Sequence, residues 1–214
     1  MIPAPFAYAR PSTVDEALHA VASGGEDVKI LAGGQSLIPV MRLRLAAPET
    51  VVDLTRVAEL RGVREEGDAI VVGAMTTHSD VLSDPLIGRY APLIAEATET
   101  VADRQVRHRG TFGGALAHAD PAGDLPAVAL ALDAEFVIAG LEGRRTVPAS
   151  EFFVDYLTTA LQEGSCSSRS VSPSARAGGC TTRSSTGWRR RGRSWPSPRR
   201  CAWRAAGSRR RGSG

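Results

Sequence analysis

Cysteine and tryptophan are absent from the chain up to Gly164, although the full 214 residues hold three of each. A cysteine-free body excludes a disulfide framework there and suits a reducing compartment, so a cytoplasmic location is the expectation. No apolar run reaches the roughly 18 residues of a membrane span. The proline-bearing start "MIPAPFAYARPS" lacks the apolar core of a signal peptide. Paired carboxylates, a His/Cys cluster with metal-ligand spacing and a Ser–His–Asp set are all missing. No catalytic residue and no metal ligand is therefore assigned. Any chemistry has to come from a cofactor.

The tail has a different set of absences. From Ser165 onward there is no acid, no lysine and no Leu, Ile, Met or Phe, and Val171 is the one valine. Before it, thirteen basic residues face 23 acidic ones, a net of −10; after it, thirteen arginines stand alone, a net of +13. Such a segment cannot bury enough apolar surface to offset its ordering entropy, which predicts a disordered tail over 165–214.

The body reads as mixed α and β. "RPSTVDEALHAVASGG" predicts a helix capped by Ser12 or Thr13, with Val14, Leu18 and Val21 on one face and Gly24 or Gly25 at its end. "VKILAGG" is a buried strand entering a tight turn, and "TVVDL" a second strand. Between them "SLIPVMRLRL" predicts one or two helical turns broken at Pro39. A small βαβ-like part over 1–55 follows, then a second α+β part over 56–164. There "AIVVGAMTTHSDVLSD" is a strand and a helix start with Ser79 or Asp80 near the cap. "YAPLIAEATETVAD" is helical, "RQVRHRGTFGGALAHADPAGDLP" a long connection, and "LPAVALALDAEFVIAG" a helix and a strand.

Two glycine turns stand out, "AGGQS" at Ala32–Ser36 and "GTFGGA" at Gly110–Ala115. Each is explained by a tight turn alone, or by the close approach of backbone N–H groups to phosphate oxygens. Neither is a GxGxxG fingerprint, and no P-loop lysine follows. Two such turns in one domain suit the two phosphates of a dinucleotide. Asp124 fits a helix cap or a ribose-hydroxyl acceptor. His118 and Asp120 fit a polar loop or a pocket wall, and His78 is expected at the solvent near a helix start.

Taken together, "KILAGGQSLIPVMRLRL", "VVDLTRV", "VGAMTTHSDV" and "VRHRGTFGGALAHADPAGDLPAVALALDA" resemble one family. It is the FAD-binding subunit of molybdenum hydroxylases, which includes carbon monoxide dehydrogenase medium subunits and the flavin domain of xanthine dehydrogenase. The resemblance covers about residues 3 to 164. It implies an α+β, two-part FAD-binding domain of the vanillyl-alcohol-oxidase type, here without the family's C-terminal domain. It implies FAD held along Lys29, Ile30, Leu31, Ala32, Gly33, Gly34, Gln35 and Ser36, and along Gly110, Thr111, Gly113, Gly114 and Ala115. Asp124 would lie near the ADP ribose. The family usually has asparagine where this chain has Ala115, a loss worth about 1 kcal/mol of flavin binding. The implied partners are a molybdopterin-binding large subunit and an iron–sulfur small subunit. Electrons would pass from the iron–sulfur clusters through the flavin to an external acceptor.

The family has no arginine-rich tail; it continues after "LQEG" with a strand and later "KFxRxxQAW". With permitted codons, one base restored ahead of "SCSSRSVSP" turns it into "ELLVEVRVP", and further on yields "KFHRVAQAW". The tail therefore reads as a one-nucleotide frameshift in a GC-rich gene. Losing that strand would leave an open sheet edge and a poorly folding fragment. A selected basic tail would bind nucleic acid through phosphate contacts. With the frameshift accounting for the arginines, no nucleic-acid partner is expected.

Overall fold

The computed structural model describes residues 2–25 and 27–161 together with the strand at 166–173. Helix α1 (Val14–Ser23) forms where its apolar period predicts it: Thr13 caps it by accepting from the Glu16 amide, and Gly24 ends it. Val14, Ala17, Leu18 and Val21 are its buried face. Strands β1 (Ala7–Ala9), β2 (Val28–Leu31) and β3 (Thr50–Asp53) form a parallel sheet in the order β1-β3-β2. Helix α2 (Leu37–Arg42) follows β2 and is not broken at Pro39. Proline stands at the third helical position, where its missing N–H has no intrahelical partner to lose.

The chain then forms the hairpin β4 (Val63–Glu66) and β5 (Ala69–Gly73). Helices α3 (His78–Ser83), α4 (Pro85–Tyr90) and α5 (Pro92–Thr100) come next. The cap of α3 is Thr77, accepting from the Asp80 amide, rather than Ser79 or Asp80. The long connection is largely helical: it contains α6 (Arg104–Arg107) and α7 (Phe112–His118). Asp103 caps the first by accepting from Val106 N–H, and Thr111 caps the second by accepting from Gly114 N–H. The glycine pair sits in the first turn of a helix, not in a loop.

Helix α8 (Asp124–Ala131), strands β6 (Glu135–Gly140) and β7 (Gly143–Pro148), helix α9 (Ala149–Phe152) and the short pair β8 (Phe153–Asp155) and β9 (Thr158–Thr159) complete the body. Strand β10 (Cys166–Pro173) then enters the middle of the second sheet, in the order β4-β5-β10-β6-β7. It pairs antiparallel with β5 and β6. The expected open edge is thus filled and the tail does not begin as disorder, because the ladder with β5 and β6 is made by backbone groups rather than by side chains. Positions 174–214 of the predicted tail lie outside the described residues.

One core lies between the second sheet and its helices. Ile70, Val72, Phe136 and Ile138 meet Ile87, Ile94, Leu116, Val128 and Phe152 there. Phe136 stacks on Phe152 with ring centroids 4.0 Å apart, and each buried ring contributes about 1.5–3 kcal/mol. A second core joins the buried face of α1 to Val52, Leu60, Met75 and Ala139, so both sheets share it.

Candidate functional site

The first turn leaves β2 at Leu31 and crosses Ala32–Ser36 before α2 begins. Gly34 has φ 75°, a left-handed value that a side chain disfavours. The second turn precedes α7 and is anchored from behind. The Phe112 amide donates to the Thr76 carbonyl (2.9 Å) and the Gly113 amide to the Ala74 carbonyl (3.0 Å). The His78 amide donates to the Gly110 carbonyl at 3.0 Å.

The two turns, far apart in the chain, touch each other. A Cβ on Gly33 would collide with the Arg109 carbonyl and stand 2.6 Å from Gly110 Cα. A Cβ on Gly114 would stand 2.6 Å from Thr111 Oγ1 and 3.2 Å from Ala32 Cβ. Glycine at 33 and 114 is therefore a packing requirement between turns as well as a local one.

This junction opens onto a cavity of about 830 Å³, within the range of small-molecule sites. Every sequence-predicted site residue lines it except Leu31, whose side chain packs toward Gly34 instead. The turns differ in what they offer. In the second, the amides of Phe112, Gly113 and Gly114 are spent on Thr76, Ala74 and Thr111. In the first, the amides of Gly33, Gly34, Gln35 and Ser36 donate to no group among the described residues. Four amides without an acceptor among the described residues, around a left-handed glycine, are the kind of donor set that suits an anion.

Asp124 is the first residue of α8, whose cap is Gly123, so the helix-cap reading does not hold. Its Oδ2 accepts from the Thr100 hydroxyl at 2.8 Å. His118 and Asp120 both reach the cavity wall; Asp120 also accepts from the Ala122 amide at 2.9 Å. His78 is a correction. It is 3% exposed, lines the cavity, and its Nδ1 has no hydrogen-bond partner among the described residues. Burial, aided by the nearby Arg107 charge, pushes its imidazole down to about 4. The ring is neutral, and the Gly110 turn covers it: a Cβ on Gly110 would stand 2.9 Å from His78 Cδ2. Val101 and Ala102 in the wall are not legible in the sequence, since "ETVADR" carries no glycine to mark a turn.

A family described as the FAD binding domain in molybdopterin dehydrogenase matches residues 4–166, nearly all of the described body. The chain belongs to that family. FAD is its cofactor, and the free amides of the first turn and the cradle closed by Gly33 and Gly114 fit a dinucleotide diphosphate. The carbon monoxide dehydrogenase medium chain of Hydrogenophaga pseudoflava is 50% identical over 163 residues, 76% of this chain and 57% of that one. The 6-hydroxypseudooxynicotine dehydrogenase complex subunit alpha of Paenarthrobacter nicotinovorans is 40% identical over 164 residues, 77% of this chain and 55% of its own. Among solved structures, carbon monoxide dehydrogenase from Hydrogenophaga pseudoflava lacking the Mo-pyranopterin moiety superposes with a TM-score of 0.81. It shares 48% identity and covers 83% of this chain and 62% of that one. The chain thus spans little more than half the length of the curated relatives it matches. Among the described residues, no helix is long and apolar enough to cross a membrane, and no group of metal-ligating side chains forms.

Proposed function

We propose that this chain is the FAD-binding part of an electron-transfer subunit in a molybdopterin-dependent dehydrogenase. Its partners in this reading are a molybdopterin-binding large subunit and an iron–sulfur small subunit. The similarity to medium chains of multi-subunit dehydrogenases supports it. The carrying observation is the junction of the two glycine turns, where four residues whose amides donate to no group among the described residues line one dinucleotide-sized cavity. The two-part, vanillyl-alcohol-oxidase-type organisation belongs to the same reading, with the parallel sheet as one part and the antiparallel sheet as the other. So does a C-terminal domain in the intact protein, supported by the greater length of the relatives.

When bound, FAD supplies the redox chemistry, accepting electrons singly or in pairs. The protein's own residues bind, orient and shield. The amides of Gly33–Ser36 hold the diphosphate oxygens. Asp124 accepts a ribose hydroxyl, and the neutral His78 ring closes the wall behind the Gly110 turn without placing a charge there.

Titrating the full chain with FAD tests this. A stoichiometric yellow complex with a raised Tm is the expected outcome. A colourless protein whose Tm FAD leaves unchanged would sink the reading.

A further inference from the structure

Two side chains outside the cavity hold part of its wall in place. The link between α5 and α6 lines the cavity through Val101 and Ala102. Ala102 has φ 41°, a left-handed conformation that residues with a Cβ avoid. Arg107 spans this link: its Nη1 donates to the carbonyls of Val101 at 2.8 Å, Ala102 at 3.2 Å and Glu99 at 3.3 Å. At the end of α5, Thr100 Oγ1 lies 2.8 Å from Asp124 Oδ2 and 2.7 Å from the Ala97 carbonyl. The hydroxyl has one proton, and the anionic carboxylate is the stronger acceptor.

This arrangement has a consequence for Asp124. Its helix has a glycine cap with no side-chain acceptor, so the free amides of α8 compete for the carboxylate. Thr100 engages Oδ2 from the neighbouring helix and leaves Oδ1 without a partner among the described residues. That oxygen remains available to a ligand in the cavity.

We propose that Thr100 and Arg107 are positioning residues for the nucleotide half of FAD. Thr100 sets the Asp124 carboxylate, and Arg107 locks the strained rim at 99–102 beside it. This rests on the reading above, in which the cavity takes FAD and Asp124 meets the ribose.

The test uses the full 214-residue chain, with ADP and FAD as separate probes in calorimetric titration. Thr100→Val is expected to weaken both by a similar factor, about 10-fold, as for a lost hydrogen bond to a charged group. Thr100→Ser restores both. In an Asp124→Asn background, Thr100→Val adds little, because the carboxylate it positions is gone. Arg107→Gln weakens ADP and FAD alike; if that variant does not fold, the Thr100 pair carries the test. A lowered Tm with unchanged ADP affinity would make both residues helix-end supports only and overturn the proposal. If the wild-type chain bound neither probe, the FAD reading itself would fall, and this inference with it. Wild-type binding with unaffected variants removes the inference alone.

Discussion

Gly33 lies so close to the Arg109 carbonyl that a single methyl group could not fit between them. That contact joins a turn after β2 to a turn before α7, and the cavity opens where the two meet. Gly33→Ala is expected to force the turns apart at a cost of about 1–3 kcal/mol. Urea unfolding reads the stability loss and FAD titration the affinity loss. Retention of both at wild-type values would show that the junction tolerates separation.

Ala115 lines the cavity one residue past the second glycine pair, where the resembling family usually carries asparagine. An amide there adds a donor and an acceptor within reach of the wall. Ala115→Asn should tighten FAD binding about 5-fold, the equivalent of about 1 kcal/mol. Fluorescence titration of the flavin decides it, and unchanged or weaker binding counts against the role.

His78 makes folding sensitive to mild acid. The unfolded chain takes up a proton at this residue near its ordinary 6.5, the folded one only at about 4. The neutral ring's contribution is thus fully present above pH 6.5 and is lost as pH falls toward 4, at up to about 1.4 kcal/mol per pH unit and about 3 kcal/mol in all. Urea unfolding across this range should fall steeply for the wild type. His78→Gln should flatten the profile over the same interval. Parallel profiles would assign the acid sensitivity elsewhere.

Strand β10 presents a mismatch between place and composition. Position 167 pairs with Ile138, 170 with Val72 and Phe136, and 172 with Ile70, all of them core residues. In sequence, these three pairing positions are serines. In the frame restored by one base they read Leu, Val and Val. The triple variant S167L/S170V/S172V should raise Tm by several degrees, since apolar cross-strand pairs with Ile138, Val72, Phe136 and Ile70 each stabilise a sheet by about 0.2–1 kcal/mol. Sequencing the gene across the codons for Glu163 to Cys166 should reveal one further base. A gene matching the present frame would make the chain a truncated product, and an unaltered Tm would show that the strand does not favour apolar residues at these positions.

Much of the fold was legible in local pattern. Helix α1 followed from Val14, Leu18 and Val21 with a Thr13 cap, and β2 and its turn followed from four apolar-rich residues and two glycines. The helices inside the long connection are not legible because α6 has four residues and α7 carries two glycines in its first turn, too short and too weakly periodic for an apolar stripe. The burial of His78 is not legible in the sequence for a related reason. Its exposure depends on the Gly110 turn packing over it, and nothing within "TTHSD" encodes that neighbour.

By itself the sequence determined helices α1, α5 and α8, strands β2, β3, β5 and β6, the two glycine turns and the change of composition at Gly164. These depend on residues within one segment, so side-chain period, capping and turn chemistry suffice to set them. Only the tertiary structure decided that Gly33 meets Arg109, that Thr100 holds Asp124, that His78 is buried, and that 166–173 lies between β5 and β6. Those contacts join segments far apart along the chain. Shared packing of two sheets and their helices selects them, and no local preference in either segment specifies the partner.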